Sequence, residues 1–152
     1  MEPRKYVAAE AKPGKLLVAR ITPGTELVDG IAEVCKAYGI KSGMVINAIG
    51  SLQKVAIHYV IPNAKDPLGV SPGPDLLIEG PVEIGSCHGL LCEDEDGEVV
   101  VHLHVSVMDK SEKVYGGHLM ESGNPVAVMV DVSILEAKIF ESSEDSIIKL
   151  ED

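Results

Sequence analysis

Val126, Val128, Val130, Val132 and Ile134 put five β-branched side chains at strictly alternate positions. In an extended chain that spacing sends all of them to one side, so the sequence predicts a sheet with an aliphatic face. Other segments repeat the period of two. Val55, Ile57, Tyr59 and Ile61 alternate with polar neighbours that include Lys54 and His58, the pattern of a half-buried strand. Met44 to Ile49 is an apolar run that Gly50-Ser51 interrupts. Val82 to Cys92 and Val99 to Met108 flank Glu93-Asp94-Glu95-Asp96-Gly97-Glu98, which predicts a hairpin with its acidic tip in water. A calcium loop of the EF-hand type would need an acidic residue where Cys92 stands, so the tip reads as a solvated turn.

One stretch changes period. Leu27, Ile31, Val34, Cys35 and Tyr38 share one face of a helix, with Thr25 as the expected cap and Gly39 as the stop. Ahead of it, residues 15–21 read as a strand halted by Pro23-Gly24. Residues 62–75 hold four prolines and two glycines and read as a long irregular loop, a kind often tied to function. One helix with six or seven strands joined mostly by turns predicts an α+β domain: a central, mostly antiparallel β-sheet with one main flanking helix. The expected organisation is an N-terminal arm over residues 1–14, one domain over 15–141 and an acidic C-terminal tail over 142–152.

Composition narrows the function. The 152 residues suit a single domain, and 45% are apolar, enough for one core. With Trp 0, Phe 1 and Tyr 4, that core must be built from aliphatic side chains. A formal net charge of −11 repels phosphate backbones, so no direct nucleic-acid binding is expected. The N-terminus lacks the apolar core of a signal peptide, and no apolar stretch nears the roughly 20 residues of a spanning helix. Cys35, Cys87 and Cys92 are odd in number and match no paired spacing, as expected of buried thiols in a reducing compartment. These features predict a cytoplasmic chain with no membrane association.

The chemistry-bearing residues are histidines. Val99, Val101, Leu103, Val105 and Val107 share one strand face, so His102 and His104 stand side by side on the other. Their Cα atoms would lie roughly 6.5–7 Å apart, close enough for two rings to converge on one ion. A His-x-His pair alone also suits two polar residues on a wetted face. Gly116-Gly117 ahead of His118 adds to the case, because paired glycines allow a tight turn that carries a third imidazole back over the sheet. Three neutral nitrogens without a thiolate leave a fourth tetrahedral position open, which makes a divalent metal, with zinc the expected ion, the implied cofactor. His88 depends on the hairpin: a three-residue loop, Glu95 to Gly97, sets it opposite His104, and a two-residue loop turns it toward the core. Glu83 and Asp109, near the strand ends, are candidates to orient the imidazoles or are ordinary solvated carboxylates. His58 reads as a surface or interface residue. No phosphate-binding glycine loop, GxSxG elbow or HExxH helix is present, and the catalytic residues remain unknown.

Six motifs in order then resemble the PPC (plants and prokaryotes conserved) domain family over roughly residues 15–140. They are Val18-Ala19-Arg20-Ile21-Thr22-Pro23-Gly24, Gly39-Ile40-Lys41-Ser42-Gly43, Gly50-Ser51-Leu52, Glu79-Gly80-Pro81-Val82-Glu83-Ile84, His102-Leu103-His104-Val105 and Tyr115-Gly116-Gly117-His118-Leu119. The resemblance implies an antiparallel sheet with a flanking helix, assembled as a homotrimer. It also implies that His102, His104 and His118 hold a metal ion, as in some prokaryotic members, whereas His88 lies outside the family's motifs. Plant members carry an AT-hook before the domain. Nothing here matches the Arg-Gly-Arg-Pro core of that hook, and Pro81-Val82 stands where the plant version has Arg-Phe. The expectation is a homotrimer with a three-histidine metal site that binds a small molecule or a protein partner. The alternatives are a metal-dependent enzyme and a DNA-associated regulatory protein acting through partners.

Overall fold

The computed structural model describes residues 10–139, and the expected acidic tail lies outside them. In chain order the elements are β1 (Ala11–Ile21), α1 (Leu27–Tyr38), β2 (Ser42–His58), β3 (Val60–Pro62), β4 (Val70–Pro72), β5 (Leu76–Glu93), β6 (Val99–Met108), β7 (Val114–Leu119) and β8 (Val126–Ile139). Six strands form an antiparallel sheet in the order β1-β8-β2-β5-β6-β7, which is the expected α+β architecture with one helix. The first strand begins within the stretch read as an arm, with a register shift between Pro13 and Leu16. The proline-rich loop holds two short strands of its own, because β3 pairs with β4.

The core forms where α1 covers the inner face of the sheet. Leu27, Ile31 and Cys35 are fully buried on the helix, against Leu103, Val107, Val130, Val132 and Ile134 of the sheet. Gly39 ends the helix in the left-handed conformation, φ 66°. The helix start differs from expectation. Glu26, not Thr25, occupies the cap position and makes no side-chain cap bond. Its carboxylate instead accepts the backbone N–H of Asn124, and the Thr25 hydroxyl faces that of Thr22.

The five-residue alternation on β8 is also broken. Val126, Val130, Val132 and Ile134 are buried, but Val128 is 63% exposed. Between the pairs Gly50–Val130 and Leu52–Val126, β8 spends two more residues than β2 does. That bulge carries Val128 outward, where it lines a surface pocket of about 370 Å³ with Ile49, Ser51, Glu83 and Asp131.

The far end of β2 positions the site. Past Leu52 its partnership with β8 ends, and Ile57 and His58 pair with Leu119 and His118 of β7. The sheet thereby closes on itself through β2, β5, β6 and β7. Gly117 is required at this seam, since a Cβ there would lie 2.5 Å from the His58 carbonyl oxygen. The fully buried Asn124 locks the same corner: its Oδ1 accepts the Ala56 N–H at 2.8 Å and its Nδ2 donates to the Met120 carbonyl at 2.7 Å.

Candidate metal centre

On β6, alternation works as the sequence predicts. Val101, Leu103, Val105 and Val107 are buried, and His102 and His104 stand on the exposed outer face. The hairpin register pairs Glu93 with Val99 and hence His88 with His104, so His88 belongs to the outer face. The third imidazole arrives by a different route from the one expected. Gly116 and Gly117 lie within strand β7 and form no turn; their lack of side chains lets the β6 and β2 backbones approach closely. His118 then sits directly across from His104 on one side and from His58 on the other. Four histidines, His88, His104, His118 and His58, form one continuous row across four strands, with His102 beside it.

The rings gather closely. Centroid separations are 4.5 Å for His102 and His118, 5.4 Å for His102 and His104, and 5.6 Å for His104 and His118. One ring nitrogen from each of these three lies within 4.8 Å of the others, a group that could hold a metal ion. Tetrahedral zinc ligands sit about 3.4 Å apart, so binding would draw the three nitrogens closer together. Burial, reinforced by the neighbouring rings of His102, His58 and His104, pushes His118 down to about 4. His104 is lowered as well, by burial first and then by His102, His88 and His58. Both shifts favour the neutral imidazole, the form that donates a lone pair to a cation.

The other candidates divide. His58, read as a surface or interface residue, is half-buried and stacks on His118 with centroids 4.6 Å apart. Asp109 serves its own turn: it accepts from the N–H groups of Ser111 and Lys113 and from the Tyr115 hydroxyl. Glu83 pairs with Met108 and lines the pocket beside Val128. Cys35 and Cys87 are buried and pushed up to about 11 and about 12 by burial, which suits inert packing thiols.

The outer face around the histidines is apolar. One cross-strand row runs Leu16, Leu135, Met44, Leu90 and His102, so the triad terminates a hydrophobic band. Leu16 is 64% exposed, Val18 77% and Leu90 50%. No helix among the described residues is long and apolar enough to cross a membrane.

Known proteins share this fold. A metal-containing protein from Archaeoglobus fulgidus superposes with a TM-score of 0.71 at 26% identity, covering 87% of this chain and 86% of the other. A plant- and prokaryote-conserved (PPC) protein from Pyrococcus horikoshii gives a TM-score of 0.71 at 27% identity, covering 88% and 85%. Among curated sequences, a bifunctional protein GlmU from Synechococcus is 30% identical over 109 residues, 70% of this chain. The chain spans only 15% of that protein's length. The Plants and Prokaryotes Conserved (PCC) domain matches residues 8–138, a span that contains every described strand but the last residue of β8, and the helix. With sequence match and fold in agreement, the chain belongs to the Plants and Prokaryotes Conserved domain family.

Proposed function

We propose that this protein is a homotrimeric metal-binding module in which His102, His104 and His118 hold a divalent ion, with zinc the expected one. The observation that carries the reading is the convergence of three donor nitrogens within 4.8 Å at the end of an exposed aliphatic row. A similar fold in a protein described as metal-containing supports it. The exposed band through Leu16, Met44 and Leu90 is the surface that neighbouring copies would cover, since solitary chains rarely leave so much aliphatic surface in contiguous rows. A small ligand or protein partner would meet the ion at that boundary. The likeness to a segment of a larger bifunctional protein fits a unit that works in company with other domains.

A donor set of three imidazoles also favours a second reading, a metal-dependent enzyme. When bound, the ion would serve as a Lewis acid toward a carbonyl or a water through its open position. The chain's own residues would contribute the neutral rings and the apolar surround. A DNA-associated role would have to run through partners, given the net charge of −11.

Elemental analysis paired with native mass tests the proposal. The expected result is about one metal per chain in a three-chain particle, with the metal lost when His102 and His104 become Ala. A metal-free preparation that takes up no zinc, or a particle with the mass of one chain, overturns it. Turnover that vanishes with the metal would select the enzyme.

A further inference from the structure

We infer that His58 is a positioning residue that holds the His118 ring in its ligating orientation, an inference that rests on the three-histidine reading above. His102 and His104 project from β6, which pairs with β5 from Val99 to Met108 and with β7 from His104 to Met108. His118 stands near a strand end. It is the next-to-last residue of β7, and on its far side only two residue pairs, Ile57–Leu119 and His58–His118, join it to β2. The His58 ring covers that weak flank. It lies nearly parallel to the His118 ring, 23° apart with centroids at 4.6 Å, and limits how far that ring can rotate.

His58 is itself fixed. Its Nδ1 is 3.0 Å from the Met120 sulfur, and Met120 is tied by its backbone to Ala56 and to the buried Asn124 side chain. The chain of contact therefore runs from a buried amide through a thioether and one imidazole to a second imidazole. Stacking also excludes His58 from the ligand set. An imidazole offers its lone pair in the ring plane, and two nearly parallel stacked rings cannot both aim at one ion. Consistent with this, the donor group within 4.8 Å comprises His102, His104 and His118 without His58.

The test is a zinc titration against a competing chelator on the full chain, with the unfolding midpoint of each metal-free variant measured in parallel. His58→Ala removes the ring and is expected to weaken zinc about ten-fold, the lower end for loss of a group that orients a ligand. His58→Phe keeps a flat ring that can neither coordinate nor titrate, and is expected to restore affinity to within about three-fold of the parent. Cobalt-loaded His58→Phe should keep the parent's visible absorption bands, since the ligands are unchanged. Equal weakening by Ala and Phe would show that a nitrogen of His58 is needed and overturns the proposal. So does an affinity loss in His58→Ala fully matched by a fall in metal-free stability, or no loss at all. Failure of the underlying reading looks different: His104→Ala would then keep its zinc, whatever the His58 variants do.

Discussion

The two faces of the sheet present opposite solutions to the same strand pattern. On the inner face, Leu103, Val107, Val132 and Ile134 meet the helix and one another, and the chain completes its own packing. On the outer face His102, His104, Leu90 and Met44 are left in contact with solvent. The inner face is settled by burial within one chain. The outer face is settled only if something else arrives, whether a cation or another protomer. Stability should therefore reside on one side and function on the other.

The sharpest test of that division is Leu103→Ala. Its side chain is fully buried, and its loss should cost about 3 kcal/mol in denaturant unfolding. Asn124→Ala comes next. It leaves the Ala56 N–H and the Met120 carbonyl without their buried partner and should cost about 2 kcal/mol by the same measurement. Acid probes the outer side. His118 takes its proton at about 4 when folded, against an ordinary value of 6.5. The unfolded chain then binds more protons between those limits, so the metal-free protein should lose stability as pH falls from 6.5 toward 4. Thermal melts of the parent and of His118→Gln across that window check this, with the variant losing less. Smallest should be the effect of outer-face changes on the metal-free fold. His102→Ala should alter unfolding by no more than about 0.5 kcal/mol while abolishing metal uptake. Leu90→Glu should leave the monomer folded but lower the native mass. A large stability loss from either would erase the contrast between the faces.

Much of this was legible in local pattern. The β6 alternation fixed the facing of His102 and His104, and the β5–β6 hairpin narrowed His88 to two registers, of which the structure adopts the one that faces His104. What escaped were features set by distant parts of the chain. Val128 keeps its place in the alternation, but a bulge specified by pairing with β2 turns it outward. Thr25 has the right chemistry for a cap, yet the chain enters the helix one residue later, where Asn124 claims the Glu26 carboxylate. The glycines before His118 serve a close approach of backbones instead of the expected turn, because the β2–β7 seam joins residues 60 positions apart. For the same reason nothing near His58 announced that it would lie against His118.

The acidic tip between β5 and β6 looks like the most dispensable part of the molecule, yet its length governs the outer face. Asp94 closes it by donating its N–H to the Glu98 carbonyl and accepting the Asp96 and Glu98 N–H groups on its own carboxylate. One added residue that shifted the pairing would invert all of β5 above the Gly85 irregularity, sending His88 and Leu90 inward and Cys87 and Leu91 to water. With Asp94 closing the turn and Gly97 taking its left-handed position, φ 83°, six residues at a solvated tip set what the far side of the sheet displays.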